Sequence, residues 1–407
     1  MASITSLQSL ILDLPPSCIE FCPLNPQYAV VGTYNLEKQP TDRSGDENEQ
    51  TTEDVEEPKP QERNGSIILV KVHGDSVLIV QTLATPFAVL DIHFAPDQNA
   101  QSLFGVASST GSIGLYQLAD HEDNGLDQGS SKFIRPRVTH VQTFNVADPE
   151  ILVTAFLWHP RKGGSNGHSL VACLSLSDGS IAMGAIEPKS TTSDVAVENI
   201  TCHDLEAWTV ALTLDGTGIY SGGDDSGLMF SGLAEHSPTL WPGASDFKTT
   251  PRTAWKDQKT HFAGVTAILP LQTTSSESLI VTGSYDDNIR LISVPTSGRR
   301  RAVAELNLGG GVWRLKRLDL LNKPSPARER DSQDVLILAS CMHAGARIVR
   351  LHHSADEDEW RFEVLAKFEE HKSMNYGSDC QPKLNDKGQR TFITTSFYDR
   401  LLCFWRH

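Results

Sequence analysis

The sequence predicts an all-β fold, a seven-bladed β-propeller, and three observations lead there. One short unit, a strand, a tight turn and a second strand of alternating apolar residues, recurs seven times. The copies start roughly 46 to 68 residues apart, close to a four-stranded blade of ~40–45 residues plus insertions. No long stretch carries the 3.6-residue apolar period of a helix. Radial repetition also explains how 407 residues can form one domain, since a single ordinary core rarely grows past roughly 250–300 residues.

In chain order, blade one spans about 16–83, with strand 28–33 followed by Gly65-Ser-Ile-Ile-Leu-Val. Between them lies 36–64, with ten acidic and four basic residues and almost no large apolar ones, so a disordered insertion is expected. Blade two, 86–144, has strand 103–108, then Gly111-Ser-Ile-Gly-Leu-Tyr, then a polar loop at 119–137. Blade three, 151–198, has 170–176 and Gly179-Ser-Ile-Ala-Met-Gly; blade four, 204–250, has 218–222 and Ser226-Gly-Leu-Met-Phe-Ser. Blade five, 261–306, has 279–283 and Asp287-Asn-Ile-Arg-Leu-Ile, with Arg299-Arg300-Arg301 expected as an exposed hairpin turn. Blade six, 310–368, has 335–340 and Gly345-Ala-Arg-Ile-Val-Arg, with a second polar loop at 322–333. Blade seven, 371–407, has 392–396 and Asp399-Arg-Leu-Leu-Cys-Phe-Trp. His407 follows the third strand of that blade, so segment 7–12 is expected to supply its outer strand and close the ring.

Composition narrows the function. The net charge of −16 argues against a phosphate-backbone binder. No segment reaches the roughly 20 apolar residues of a membrane span, and 1–14 has no basic residue ahead of its apolar ones, so neither membrane insertion nor secretion is expected. Seven sparse cysteines without a C-x-x-C pair read as free thiols of a cytoplasmic protein, with no zinc knuckle. A P-loop, a dinucleotide glycine fingerprint and H-E-x-x-H are all missing, so no cofactor and no metal are expected. Gly163-Gly164-Ser165-Asn166-Gly167 matches G-x-S-x-G, but between two strands of blade three it reads as a flexible loop rather than a nucleophile elbow.

In a four-stranded blade, the loop entering the first strand and the turn between the second and third strands open onto one face. The entering loops bring His203, His261, 309–311 and 371–379 there; the inner turns bring Asp224, Asp225, Asp286, His343, Tyr398 and Asp399. Val281-Thr-Gly-Ser-Tyr-Asp-Asp-Asn-Ile-Arg-Leu and Thr394-Thr-Ser-Phe-Tyr-Asp-Arg-Leu-Leu-Cys-Phe-Trp405, preceded by His261 and His371, resemble WD-repeat propellers. That resemblance implies hydrogen-bonded His–Asp pairs within blades: His203 with Asp224 or Asp225, His261 with Asp286, and His371 with Asp399.

Four further strings gather in blades five to seven: Gly309-Gly-Gly-Val-Trp313-Arg314, Ser340-Cys341-Met342-His343-Ala-Gly345, Ser373-Met-Asn-Tyr376-Gly377-Ser-Asp379 and Ser396-Phe397-Tyr398-Asp399. With His261-Phe-Ala-Gly-Val and Gly283-Ser-Tyr-Asp-Asp, they closely resemble the diphthine methylesterase family, a WD-repeat branch of diphthamide biosynthesis. Cys380 and Ile292 depart from that family's pattern, which often has Trp at both places. The resemblance implies hydrolysis of the methyl ester of methylated diphthine on translation elongation factor 2; a monomer is expected. The trimethylammonium group of such a substrate suits aromatic faces, and Trp313, Tyr376 and Tyr398 are candidates, with Asp399 beside them. Ester cleavage needs a nucleophile or activated water and oxyanion donors. His343 and His371 are candidate bases, Cys341 and Ser373 candidate nucleophiles and Asp379 a candidate orienting carboxylate. The amides of Gly309, Gly310 and Gly311 are candidate oxyanion donors. The competing reading is a non-catalytic scaffold, since fold alone does not establish function.

Overall fold

A computed structural model describes residues 2–36, 62–96, 102–123, 133–164, 168–188, 190–234, 240–241, 253–274, 276–296, 299–318, 334–354 and 359–407. Thirty β-strands among the described residues form seven sheets, and these stand in a ring as a seven-bladed β-propeller. In blade one the meander runs outward through Pro16–Phe21, Tyr28–Thr33, Arg63–His73 and Ser76–Thr85. The innermost strands of the next six blades are Val89–Phe94, Val153–Trp158, Ala207–Leu212, Val265–Thr273, Arg314–Arg317 and Ser378–Leu384. Together they surround a central channel.

Small residues at the ends of the second strands make room for the neighbouring blade. A Cβ on Gly222 would lie 2.6 Å from Val265, which opens the next inner strand, and one on Gly283 would lie 2.5 Å from Val312, two residues ahead of the next one. The turn that follows needs a left-handed residue. Gly111, Gly179, Ser226, Asp287, Gly345 and Arg400 fill that place in blades two to seven, all with positive φ. The inner strands of blades one to five then begin with a β-bulge, which re-aims one side chain. At this bulge Ser17, Thr154 and Thr266 donate their hydroxyls to the carbonyls of Val89, Ala207 and Val312, stitching blades one, three and five to their successors.

Gln8–Ile11 pairs antiparallel with the strand Leu401–Arg406 and completes the sheet of blade seven, and Ala2–Ile4 lies parallel to Ala366–Phe368 as a fifth strand on blade six. Three loop expectations meet different fates. Residues 119–123 and 133–137 continue a paired hairpin instead of forming a loop (Leu118 faces Val138 and Ala119 faces Arg137), because Phe133, Ile134 and Val138 favour strand. Arg299 and Arg301 stay exposed where the strand Asn288–Pro295 turns back into Arg301–Asn307, as expected of a hairpin turn, while Arg300 departs from that by stacking over Trp255 at 4.4 Å. Segments 37–61 and 322–333, and Ser165 with its two successors, lie outside the described residues; only the base of the first insertion is placed, where Leu36 pairs with Arg63.

Blades six and seven meet over stacked rings. Trp405 lies 4.1 Å from Phe392 and 5.2 Å from Phe368, both nearly coplanar, and donates its indole N–H to Thr394 Oγ1 at 3.0 Å. Trp405 is 1% exposed, so truncation leaves a cavity and removes one of the two partners of the Thr394 hydroxyl. Trp405→Ala is expected to lower unfolding free energy by about 3–5 kcal/mol and Trp405→Phe by less, measured as urea midpoints; equal midpoints for the two variants would contradict this.

Candidate functional site

Blades four to seven depart from the repeat on one face. Blades four and six put Trp208 and Trp313 just after Ala207 and Val312, the position that Thr154 and Thr266 hold in blades three and five; Trp208 sits on a bulge between Ala207 and Thr209. Trp208 and Trp313 lie 5.8 Å apart by ring centroid, and Tyr285 of the blade-five turn stands 6.4 Å and 5.9 Å from them. Tyr376 continues the series 4.9 Å from Trp313, then Phe397 5.4 Å further, flanked by Tyr398 at 5.1 Å and Tyr34 at 6.1 Å. An aromatic arc therefore runs around the channel mouth from blade four to blade one. The sequence reading placed three of its members, Trp313, Tyr376 and Tyr398, on one face.

The blade-six turn has a second irregularity. Met342 is non-glycine with φ +40°, and its carbonyl accepts both the Gly345 and Asn375 amides, hooking the blade-seven entering loop onto blade six. Asn375, fully buried, holds the other side by donating to Thr395 O at 2.7 Å. Tyr376 is thereby fixed against Trp313. The glycine run lies against the same turn: a Cβ on Gly310 would come 2.4 Å from Cys341 O and 2.9 Å from Ala344, and one on Gly311 2.7 Å from Met342 Sδ. Gly309 has φ +85° and donates to Asn307 Oδ1 at 3.0 Å. Among the described residues no acceptor faces the amides of Gly310 and Gly311. His343 is exposed on this turn, its imidazole without a hydrogen-bond partner among the described residues.

The other candidates are placed differently. Cys341 is buried, bonded to Ala339 O at 3.7 Å, and burial pushes its thiol up to about 12. His371 is buried with Nε2 2.8 Å from Thr394 Oγ1. The expected His–Asp pairing holds for His203, 2.9 Å from Asp225. In blades five and seven the roles separate: the histidine bonds a strand threonine (His261 to Thr282 at 2.9 Å), while Asp286 and Asp399 accept the Phe262 and Lys372 amides. Ser373 donates to Asp399 at 2.8 Å and accepts the Tyr398 amide at 2.9 Å, so it braces a turn. Burial raises the Asp399 carboxyl, but hydrogen bonds from Ser396 and Ser373 outweigh it and the net shift is downward.

Asp379 lies inside the channel, paired with Lys316 and accepting the Phe21 amide at 2.7 Å. A cavity of about 280 Å³ runs beneath Tyr376. In it Arg314 of blade six reaches across to Asp91 of blade two at 3.0 Å, and His93 bonds Glu20 at 2.8 Å and Asp91 at 3.2 Å. Desolvation lowers the His93 pKa, but Asp91 and Glu20 overcome it and hold the imidazole charged, up to about 10. Among the described residues no three His, Cys, Asp or Glu gather as a metal site.

A Schizosaccharomyces pombe protein named diphthine methyltransferase is 26% identical over 344 residues, 84% of this chain and 86% of its own. One of the same name from Saccharomyces cerevisiae is 25% identical, covering 98% and 97%, and a human one is 27% identical, covering 92% and 74%. Over most of its length the chain is thus similar to proteins named diphthine methyltransferase. No family model matches it. Solved structures share the fold: a chain of a mitotic checkpoint complex (TM-score 0.60, 14% identical, covering 100% of this chain and 93% of that one) and Chaetomium thermophilum Sqt1 bound to the N-terminus of ribosomal protein L10 (0.57, 10%, covering 99% and 90%). No helix among the described residues is long and apolar enough to cross a membrane.

Sequence reasoning missed Trp208, as well as Glu20, Asp91, His93 and Lys316. Trp208 had a signal, since aligning the repeats puts it at the place of Trp313. The channel cluster had none.

The histidines set opposite pH limits. Burial, then the Arg290 charge, pushes His261 down to about 4; burial does the same to His371 against Asp399. An unfolded imidazole titrates near 6.5, so the unfolded chain binds these protons first. Their contribution is complete above about pH 6.5 and is lost toward pH 4, by roughly 3 kcal/mol for each buried ring. His93, raised, contributes fully below about 6.5 and loses it as pH rises toward 10. Melting temperatures from pH 4 to 10 should show a shallower acid decline in His371→Gln and a shallower alkaline decline in His93→Gln. Parallel curves for wild type and both variants would refute the assignment.

Proposed function

We propose that the protein hydrolyses the methyl ester of methylated diphthine on translation elongation factor 2, freeing the carboxylate that is amidated to diphthamide. The observation that carries this reading is the juxtaposition at one channel mouth of an aromatic arc, two unengaged glycine amides and a histidine without a partner. Similarity over most of the chain to proteins named diphthine methyltransferase supports a role in diphthamide biosynthesis. A methyl group leaving an ester to water is a hydrolysis, and the chain lacks the glycine fingerprint of a dinucleotide fold.

In the proposed reaction His343 removes a proton from water, and the resulting hydroxide attacks the ester carbonyl. The amides of Gly310 and Gly311 hold the tetrahedral oxyanion. Collapse expels methoxide, which takes the proton back from His343 and leaves as methanol, so the histidine is restored. Water is preferred to a covalent nucleophile because the Cys341 thiol is buried and held protonated, and the Ser373 hydroxyl is engaged on both sides. His371 and Asp379 support the blade and the channel.

Purified protein should release methanol from elongation factor 2 bearing methylated diphthine, without added metal or nucleotide and unaffected by chelator. His343→Ala should lower kcat by about 10²–10⁴ with an unchanged melting temperature. Trp313→Ala should raise KM by about 2- to 30-fold. An unaltered substrate mass after incubation with folded protein would reject the hydrolase reading. Full activity in His343→Ala would reject the assigned base.

A further inference from the structure

We propose that Trp208, Tyr285 and Trp313, backed by Asp224 and Glu206, form a site for a quaternary ammonium group, with Trp208 as its specificity-determining wall. The identity of the natural ligand rests on the hydrolase reading; the binding chemistry does not.

The three rings form a triangle with sides of 5.8, 5.9 and 6.4 Å. A cation about 4 Å above that triangle stands within about 6 Å of all three centroids, the range over which a ring quadrupole attracts positive charge. Two features make the place electronegative and not merely apolar. Asp224, exposed, accepts the Trp208 indole N–H at 3.2 Å, and Glu206 is exposed two residues before Trp208. Their charges reach the arc: the Tyr285 hydroxyl is raised by burial and then by Tyr376, Asp224 and Glu206. The neighbouring Asp225 is paired with Lys256 at 2.9 Å and hydrogen-bonded to His203, whereas no lysine or arginine among the described residues stacks on these rings.

The local backbone is shaped for this. The bulge at Trp208 turns its indole toward the rings of the next two blades. Gly264 leaves the gap in which Asp224 and Tyr285 meet, since a Cβ there would lie 2.9 Å from Asp224 Oδ1 and 2.9 Å from Tyr285 Cδ2. Selectivity for a quaternary group follows from hydrogen bonding. An ammonium carrying N–H groups would give up water for π faces and for a carboxylate oxygen already engaged by an indole, leaving donors unfilled. A fully methylated nitrogen has no donor to lose.

The test compares choline with 3,3-dimethylbutan-1-ol, its neutral isostere, by titration calorimetry on the full chain. Choline should bind in the millimolar range and the isostere at least about tenfold more weakly. Trp208→Ala should weaken choline by about 5- to 30-fold, and Trp208→Phe by less. Asp224→Asn should weaken choline while leaving the isostere unchanged. Melting temperatures confirm that each variant folds. No choline binding by the wild type, equal binding of the two probes, or wild-type affinity in Trp208→Ala would each overturn the proposal. Choline binding without methanol release would reject the hydrolase reading alone, and methanol release that choline neither inhibits nor binds against would reject this site alone.

Discussion

The pairing of Gln8–Ile11 with Leu401–Phe404 is the contact on which the other six blades depend. A ring of sheets has no independent core; each blade buries its faces only between two neighbours. Without a shared sheet joining the two ends of the chain, blades one and seven could slide apart and expose the apolar faces between Ile19, Phe21 and Ile393, Phe404. Leu12, 2% exposed, sits at this seam and anchors the N-terminal strand in it. The chain closes in antiparallel register by four residue pairs, and the order of everything at the mouth follows from that one register.

Within the closed ring, blades trade cohesion against chemistry at a single position. Ser17, Thr154 and Thr266 use the bulge to bond the next blade. Blades four and six give that hydroxyl up for indoles, forgoing a hydrogen bond worth about 1 kcal/mol each. The indoles recover packing against Tyr285 and against each other. A mouth lined from blade four to blade one is thus made by substitution inside an unchanged backbone repeat.

This explains what the sequence disclosed. The blades were legible because their marks are local: a small residue ending one strand, a left-handed turn residue such as Gly179 or Asp287, and an apolar strand after it. Trp313 and Tyr376 were legible because they sit in strings that no generic blade needs. Trp208 was passed over because it stands alone in a blade with otherwise ordinary composition. The partition of His261 and Asp286 into separate duties could not be seen, since it turns on which neighbour fills the space beside the ring. Arg314 and Asp91 were beyond reach: they are 223 residues apart, and their pairing follows from ring geometry alone.

That last pair fixes the depth of the channel. Arg314 and Asp91 join walls separated by two intervening blades, a crossbar set below Tyr376 with Lys316 and Asp379 beside it. Below the mouth the bore can neither widen nor collapse without stripping Asp91 or Asp379, both buried, of its cation, so the charged pairs act as struts that keep the passage open at a set width.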